Sequence, residues 1–416
     1  MSFQDEILVI GGGVIGVSAA YYLARQGRQV TLLEADEICA GASYGNAGFI
    51  LPSHIIPLAA PGTLGQGLKW LLDPESPFYI KPRLSLELIS WLWRFRAACQ
   101  QQRMRRSMRL LRELSHRSIE LHQELAGLQG LDFGFQKKGY LKLFKTSQGY
   151  QKANAEAGLM REFGIEARMM NQAEIREVEP NILPGVSGGL YFPHDAHLIP
   201  ADFVLQLGRV IEDLGVKIRT STEVLGFETA PAKILTVKTT RGNFKPDQVI
   251  LAGGAWSPSL ADDLGIRLPI QPAKGYSLTF KRSANSPSIP VMLSEAAVAV
   301  SPLAETVRFA GTLELAGWDQ SINQRRVNAI VKKAGEYLPG VEGLELAEIW
   351  RGFRPCLPDG LPVIGRSSRY KNLILATGHA TIGMALGPVT GELVSQLAAH
   401  ETTQINLTGL RLERFS

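Results

Sequence analysis

The architecture follows from one segment near the start of the 416-residue chain, Glu6-Ile7-Leu8-Val9-Ile10-Gly11-Gly12-Gly13-Val14-Ile15-Gly16. The run from Ile7 to Ile10 is apolar and mostly β-branched, which is typical of a buried parallel strand. Three of the glycines that follow have the spacing of a dinucleotide-binding turn, and a helix is predicted after them. Its first N–H groups would face the phosphates. From this turn, we predict that the dinucleotide is bound by Gly11, Gly13, Val14, Ile15 and Gly16.

An acidic residue stands at the expected distance from this turn. A second strand is predicted at Gln29–Leu33, and it ends on Glu34, 18 residues beyond Gly16. A carboxylate at this place can accept hydrogen bonds from ribose hydroxyls, and it would repel the 2′-phosphate of NADP. The fingerprint therefore predicts a dinucleotide site but leaves NAD and FAD as alternatives.

Later glycine-rich segments favour FAD. The segment Cys39–Gly48 is too small and glycine-rich for an ordinary helix, so its backbone can approach a flat ligand. Strands predicted at Asp247–Ala252 and Asn372–Ala376 end in the turns 253–257 and 377–379. The carboxyl ends of such strands converge on one crevice in a doubly wound sheet. A nicotinamide enzyme usually keeps its nucleotide domain contiguous, so this scatter indicates the longer cofactor.

The composition is that of an ordinary globular protein. Hydrophobic residues make up 45% of the chain and charged residues 20%, and the length suggests two or three folding units. The three cysteines have no paired spacing, so we predict neither a disulfide framework nor a metal site. Residues 1–6 lack a basic region and are not expected to form a secretory signal. We predict no transmembrane span and a cytoplasmic location.

A second domain is predicted from alternating strands. Polar and apolar residues alternate in Leu131–Lys145, which predicts strands of a second sheet. Further strands are predicted at Val186–Phe192, Ile270–Phe280, Val298–Pro302 and Val307–Gly311, and together they would form an antiparallel sheet over the flavin. The predicted fold class is therefore α/β, with a Rossmann-like FAD-binding domain and a second α+β substrate domain built on an antiparallel sheet.

Most of the net charge of +5 is concentrated in one predicted helical stretch, Leu84–Leu125. Eight arginines and one acid lie between Arg94 and Arg117, next to Trp91, Trp93 and Phe95. Basic and aromatic residues together suit an anionic lipid surface, and the inner face of the cell membrane is one possible location. The alternative is a solvated basic face with the aromatic residues in the core. Nucleic acid is disfavoured because no binding fold accompanies the charge.

Taken together, the segments described so far make the chain resemble the D-amino acid oxidase family of flavoproteins, which includes glycine oxidase and sarcosine oxidase. Within it, the chain is most similar to bacterial D-amino acid dehydrogenases of the small-subunit type. The resemblance extends from residue 7 to about 395. It rests on Ser43–Gly48, Ala59–Gly62, Lys69–Trp70, Lys274–Ser277, Gly311–Glu314, Arg351–Pro355, Pro358–Pro362 and Thr377–His379 with Gly383.

The resemblance implies non-covalent FAD and two discontinuous domains. The cofactor domain is expected at 1–80, 150–185, 198–258 and 345–405, and the substrate domain at 81–149, 186–197 and 259–344. Further cofactor contacts are expected at Ala42, Ser43, Asn46, Ala47, Gly48, Val224, Gly253, Trp256, Gly378, Gly383 and Met384. Cys356 lies near the flavin-linking cysteine of some sarcosine oxidases but does not align with it, so we interpret it as a buried thiol.

Three side chains are predicted to act on the substrate. Arg354 would clamp the carboxylate of an amino acid with its planar guanidinium, and Tyr276 would donate its hydroxyl to the same carboxylate. His379 would lie near the flavin ring. His54 is a candidate for the substrate entrance, and we interpret His194 and His197 as part of a turn at a strand end. An arginine that glycine oxidases carry after the histidine of the last motif is replaced here by Ala380-Thr381-Ile382.

The resemblance implies oxidative deamination of a D-amino acid, with hydride passing from Cα to flavin N5 and electrons to a quinone-type acceptor. A second hypothesis is a glycine, sarcosine or cyclic amino acid oxidase or dehydrogenase, acting on substrates such as D-proline or D-hydroxyproline. A third is a flavoprotein electron-transfer subunit of a hetero-oligomer. The amino acid, the acceptor and a homo- or hetero-oligomeric state stay open at this point.

Overall fold

The computed structural model describes residues 6–71 and 73–415. Residues 1–5, on which most of the signal-sequence prediction rests, lie outside the described residues. The strands are β1 Glu6–Ile10, β2 Gln29–Leu33, β3 Phe49–Ile50, β4 Phe78–Ile80, β5 Tyr140–Phe144, β6 Arg168–Met170, β7 Gly188–Phe192, β8 Ala196–His197, β9 Lys217–Arg219, β10 Val224–Ala230, β11 Lys233–Thr239, β12 Gly242–Phe244, β13 Gln248–Leu251, β14 Gln271–Lys281, β15 Val291–Leu293, β16 Val298–Leu303, β17 Thr306–Leu315, β18 Leu346–Cys356, β19 Val363–Arg366 and β20 Leu373–Thr377. The helices are α1 Val14–Arg25, α2 Thr63–Leu71, α3 Leu86–Ala98, α4 Gln101–Ala126, α5 Ser147–Glu162, α6 Gln172–Val178, α7 Pro200–Asp213, α8 Ser257–Asp263, α9 Gln324–Gly335 and α10 Gly383–Ala398.

A six-stranded sheet forms the centre of the first domain. Its order is β19-β20-β13-β1-β2-β9, and all neighbours are parallel except β19 and β20. Strand β1 lies in the middle, and its residues Ile7–Ile10 are buried on both faces, as the apolar run predicts. Helices α1, α7 and α10 pack together on this domain. The prediction of a Rossmann-like domain is therefore confirmed.

A second, larger sheet forms the substrate side of the molecule. Among the described residues it has nine strands, in the order β18-β14-β17-β16-β15-β5-β7-β6, with β4 paired to β17. Most pairs are antiparallel, as predicted, while β15–β5 and β17–β4 are parallel. One face packs on α9 in an apolar cluster. On the other face, residues of β16 and β17 contact the segment 44–47 of the first domain.

The sequence-based domain boundaries differ from the strand pairing in three places. The prediction assigns 1–80, 150–185 and 345–405 to the cofactor domain. However, β4 lies at the end of the first range, β6 within the second and β18 at the start of the third, and all three strands pair in the nine-stranded sheet. The alternation of single strands does not reveal which sheet a strand joins, because that depends on its long-range partners.

The predicted helix at 84–125 forms as two helices. Helix α3 ends at Ala98 and α4 begins at Gln101. Trp91 and Phe95 are buried and stack at a centroid distance of 5.2 Å, whereas Trp93 is 69% exposed. Two of the three aromatic residues, Trp91 and Phe95, are therefore in the core, as the second interpretation of this stretch predicts, and Trp93 is at the surface. Across 6–71 and 73–415, no helix is both long and apolar enough to cross a membrane.

Candidate cofactor and active site

The turn between β1 and α1 has room only for glycine at two positions. Gly11 has a φ of +113°, and a Cβ there would lie 2.5 Å from the carbonyl oxygen of Ala252. A Cβ on Gly16 would lie 1.8 Å from the carbonyl oxygen of Gly11. The tight bend and the close contact of helix with strand, which the spacing predicts, are both present.

The N-terminus of α1 is open towards a ligand. Gly13 is its N-cap and supplies no side-chain cap. The Val14 N–H donates to Ser43 Oγ at 3.0 Å, whereas within the described part of the chain the N–H groups of Ile15 and Gly16 have no protein acceptor. Free N–H groups at a helix start, together with the helix dipole, favour a pyrophosphate.

Glu34 lies beside this turn at the end of β2. Its carboxylate accepts hydrogen bonds from the Gly12 N–H at 2.6 Å and the Asp36 N–H at 3.0 Å. These bonds fix the carboxylate without using all of its lone pairs, so ribose hydroxyls can still donate to it. Val224, at the start of β10, is buried in the cluster that contains Ile10 and Leu33, the last residues of β1 and β2.

The three glycine-rich strand ends meet, as the sequence predicts. The carbonyl oxygen of Ala252 lies against Gly11, so the ends of β13 and β1 touch. The end of β20 is tied to that of β13, because Thr377 Oγ1 lies 2.8 Å from Ser257 Oγ and donates to the carbonyl of Gly254 at 3.1 Å. These open backbone turns, the free N-terminus of α1 and the oriented Glu34 fit a dinucleotide bound across the sheet.

The segment from Cys39 to Gly48 is an irregular turn, as predicted. The Gly48 N–H donates to Asn46 Oδ1 at 2.8 Å. Gly48 has a φ of +72°, and a Cβ there would lie 2.1 Å from the carbonyl oxygen of Leu198. The predicted contacts at Ala42, Ser43, Asn46 and Ala47 therefore lie on one compact loop next to the start of α1.

Gly253 and Trp256 follow β13 at the edge of this region. The Trp256 indole is 48% exposed, and its ring centroid is 5.3 Å from that of Trp318 and 6.5 Å from that of Phe353. A Cβ on Gly41 would lie 3.9 Å from the Trp256 ring. Trp256 thus lies between the Cys39–Gly48 loop and the aromatic residues at the end of the larger sheet.

His379 faces helix α10 rather than an open cavity. Its ring is buried, and Nε2 lies 3.0 Å from Thr390 Oγ1. Burial lowers the pKa of His379 to about 3, so the imidazole is neutral at ordinary pH. It joins the turn after β20 to α10, which begins at Gly383 and carries the buried Met384. One ring nitrogen is thus already engaged by Thr390, and the proximity of His379 to the flavin ring stays a prediction.

Arg354 lies on β18 over Gly275 of the neighbouring strand. A Cβ on Gly275 would lie 2.1 Å from Arg354 Nη1, so the guanidinium rests on bare backbone. Nη1 donates to the carbonyl of Thr312 at 2.7 Å. No acidic side chain of the described chain forms an ion pair with Arg354. Burial lowers its pKa, yet an arginine stays charged, so most of its donors are available to an anion.

Tyr276 does not lie on the same face as Arg354, which corrects the expectation that both face the flavin. Arg354 pairs with Ala273 across the two strands, and residues 273 and 276 of one strand project to opposite faces. The Tyr276 ring is fully buried, with its hydroxyl 3.3 Å from Glu314 Oε2 and accepting from the Asn323 N–H at 3.1 Å. Burial raises its pKa to about 12.

The structure also shows where the three remaining histidine candidates of the sequence analysis lie. His54 is exposed on its loop. His194 and His197 lie in and after the turn that joins β7 to β8, and His194 Nε2 is 3.0 Å from Glu166. Residues 6–71 and 73–415 contain no cluster of three or more His, Cys, Asp or Glu suited to a metal. Cys356 is a buried thiol whose pKa burial raises to about 12.

One residue of this region has no counterpart in the sequence predictions. Arg308 of β17 is buried and donates to the carbonyls of Tyr44 and Asn46, both at 2.9 Å. The only signal in the sequence is a charged residue between Val307 and Phe309 in a predicted strand. An alternating strand predicts that Arg308 faces away from its neighbours, but not which surface it meets.

The fold and the candidate site are those of an oxidoreductase that has a dinucleotide-binding domain and an antiparallel substrate sheet. Comparison with known families agrees. Residues 6–397 match the DAO family, described as FAD dependent oxidoreductase, and the chain belongs to this family. The resemblance noted from the sequence and the prediction of FAD are thereby confirmed.

Individual relatives also match this chain over nearly its full length. A D-amino acid dehydrogenase of Vibrio atlanticus (strain LGP32) is 32% identical over 99% of this chain and 100% of that protein. Among solved structures, glycine oxidase from Geobacillus kaustophilus matches with a TM-score of 0.80 at 22% identity, covering 98% of both chains. L-proline dehydrogenase from P. horikoshii matches with a TM-score of 0.80 at 21% identity, covering 99% of this chain and 98% of that one. These structural likenesses concern the fold.

Proposed function

We propose that this protein oxidises a D-amino acid at its α-carbon to the imino acid, which water then hydrolyses to a keto acid and ammonia. The observation that carries the proposal is Arg354, a guanidinium that is held in place on the substrate sheet and has no acidic partner in the described chain. A curated relative of the same length is named D-amino acid dehydrogenase, which supports this substrate class.

The chain's own residues would bind and orient the substrate. A planar guanidinium forms two parallel hydrogen bonds with a carboxylate, which fixes both the position and the direction of the amino acid. The Thr312 carbonyl takes one Nη1 hydrogen and so sets the rotation of the fork. Fixing the reacting groups in one geometry lowers the entropic part of the barrier. Tyr276 lies on the opposite face and has no part in this proposal.

The cofactor would be held by the elements already described. The pyrophosphate would be bound by Gly11, Gly13 and the start of α1, and the ribose by Glu34. The 42–48 loop and the turns after β13 and β20 would lie along the remainder of the cofactor. When bound, FAD supplies the two-electron acceptor for the hydride of the substrate α-carbon. The N–H groups of Gly383 and Met384, at the start of α10, are donors that would stabilise negative charge nearby. His379 would hold the turn before α10 rather than transfer a proton.

Exposed apolar side chains on α2, on α3 and just before α3 favour a membrane quinone as the electron acceptor. No residue of α2 is buried, and Leu68 is 67% exposed. We call the following set the α2–α3 surface: Leu64, Leu68, Leu71, Leu84, Leu86, Ile89 and Trp93, all exposed. Exposed basic residues, among them Lys69 and Arg96, accompany it. Apolar and basic side chains together suit the interface of an anionic membrane.

The same helix α3 contacts the strand of the proposed clamp. The Trp91 indole N–H donates to the carbonyl of Cys356 at 3.0 Å, two residues beyond Arg354. Trp91 and Cys356 belong to one apolar cluster. A membrane bound at the α2–α3 surface would therefore lie close to the substrate sheet, which suits transfer of electrons to a lipid-soluble acceptor.

Anaerobic mixing with a panel of D- and L-amino acids, glycine, sarcosine and D-proline tests the proposal. We expect the flavin of the holoenzyme to bleach with a D-amino acid and to be reoxidised by a quinone analogue. Bleaching by glycine, sarcosine or a cyclic amino acid instead would favour the second hypothesis, as would peroxide formed in air. If no substrate bleaches the flavin, an electron-transfer subunit of a hetero-oligomer becomes the better hypothesis.

A further inference from the structure

Arg308 connects the substrate sheet to the loop of the predicted flavin site. Its Nη1 donates to the carbonyls of Tyr44 and Asn46 at 2.9 Å each, and its Nε donates to Thr279 Oγ1 at 3.1 Å. Ser301, on the adjacent strand β16, donates its hydroxyl to the carbonyl of Ala47. Three carbonyls of the loop, at 44, 46 and 47, are thus bound from the nine-stranded sheet.

The burial of Arg308 requires a reason, because a buried charge is costly unless it is paired. Arg308 is only 6% exposed. In the described chain, no carboxylate lies within ion-pair distance of it. The guanidinium donates to Thr279 and to the carbonyls of the loop instead, and the more distant charge of Glu348, opposite Thr279 on β18, also favours its charged form. Part of the stabilisation of this buried charge therefore depends on the loop keeping its conformation.

The opposite side of the loop is bound by the cofactor domain. Ser43 Oγ accepts from the Val14 N–H at the start of α1, and the left-handed Gly48 lies against the Leu198 carbonyl. The loop backbone is therefore fixed between α1 and the substrate sheet. Removing the bonds on the sheet side would leave the carbonyls of Tyr44, Asn46 and Ala47 without a donor from the substrate sheet. The loop would then be held by α1, by the Leu198 backbone and by its own internal hydrogen bonds.

We infer that Arg308 is a positioning residue for FAD: it holds the 43–48 loop in the conformation that binds the cofactor. This inference rests on the proposed placement of the flavin beside that loop. Since Arg308 belongs to the substrate sheet, the affinity for FAD depends on a residue outside the dinucleotide-binding domain. The guanidinium acts through the loop backbone, so it is not assigned a role in the chemical step.

The test measures the dissociation constant of FAD for the deflavinated protein, from the quenching of flavin fluorescence. Arg308→Met should raise this constant by about 10- to 100-fold, as expected for losing hydrogen bonds from a charged donor. Arg308→Lys should recover part of the affinity, because it keeps the charge but not the fork. Unchanged affinity in a folded Arg308→Met protein would overturn the inference.

A matched control separates positioning from general stability. Arg326 is also buried and also donates to a backbone carbonyl, that of Ser76, but it lies on α9 at the other face of the sheet and pairs with Glu314 at 3.4 Å. Arg326→Met should lower the melting temperature of the apoprotein and leave FAD affinity near that of the wild type. If both variants lose FAD equally, Arg308 acts through stability alone and the inference fails.

Two serine variants keep the test informative if Arg308→Met does not fold. Ser301→Ala removes the bond to the Ala47 carbonyl from the same sheet and should weaken FAD in the same direction. Ser43→Ala removes the bond to α1 and tests the loop from the cofactor side. If Ser43→Ala weakens FAD but the sheet variants do not, only the present inference fails. If none of them changes FAD affinity, the placement of flavin beside the loop is wrong.

Discussion

The replacement of Arg354 by leucine tests the substrate clamp most directly. In the structure the guanidinium has the Thr312 carbonyl as its only hydrogen-bonded protein partner among the described residues. A substrate carboxylate would therefore be its sole counter-charge. Removing one member of a buried charged pair costs about 3–5 kcal/mol. Since each 1.4 kcal/mol is tenfold, kcat/KM should fall by roughly two to four orders of magnitude.

The assay is the rate of flavin bleaching in anaerobic single-turnover mixing, with the best D-amino acid of the panel. Arg354→Lys should recover part of the loss, because an ammonium keeps the charge but cannot bind a carboxylate through two parallel bonds. An amine without a carboxylate provides the control. It should be a poor substrate for the wild type and about equally poor for Arg354→Leu, and the flavin spectrum should barely change.

Two results would refute this reasoning. If Arg354→Leu keeps near-normal kcat/KM with the amino acid, the carboxylate is bound elsewhere. If the variant loses FAD, then Arg354 supports the fold of the cofactor site and the proposed role is wrong.

Four further outcomes are expected. Glu34→Ala should weaken FAD by about 1–3 kcal/mol in a fluorescence titration, because ribose hydrogen bonds are lost; equal affinity would place the ribose elsewhere. Tyr276→Phe should lower the free energy of unfolding by about 1–3 kcal/mol and leave kcat/KM unchanged, since only buried bonds on the far face are lost. Asp195 is buried in the turn between β7 and β8, where its carboxylate accepts from the Ser53 N–H at 3.1 Å, and burial raises its pKa from 3.8 to about 7. Between pH 4 and pH 7 the carboxyl is ionised in the unfolded chain but still protonated in the folded protein, so the free energy of unfolding falls as the pH rises through this range. Asp195→Asn should therefore melt at a higher temperature than the wild type above pH 7, but not below pH 4. Ile89→Gln with Trp93→Gln should reduce co-sedimentation with anionic liposomes, and binding equal to that of the wild type would count against the α2–α3 surface.

Local patterns predicted much of the fold because they are set by neighbours in the chain. Gly16 is required by the carbonyl of Gly11, five residues before it, and the positive φ of Gly11 by the local turn; the contact of Gly11 with Ala252 is the long-range part of this motif. The sequence also predicts strands at β14, β16 and β17, although it does not show that β14 and β16 are buried on both faces. The break of the long helix at Cys99–Gln100 was missed, since nothing in the apolar spacing of 84–125 marks it.

The dinucleotide turn, the acidic residue after β2, the convergence of three strand ends and the family could all be predicted from the residues alone. Three features needed the folded chain: Tyr276 and Arg354 face opposite ways, β4, β6 and β18 join the larger sheet, and Arg308 binds the loop 264 residues before it. They could not be predicted because a strand's alternation defines two faces without showing what covers either one. That choice is made by contacts between residues far apart in the chain, which pair only when the whole sheet assembles.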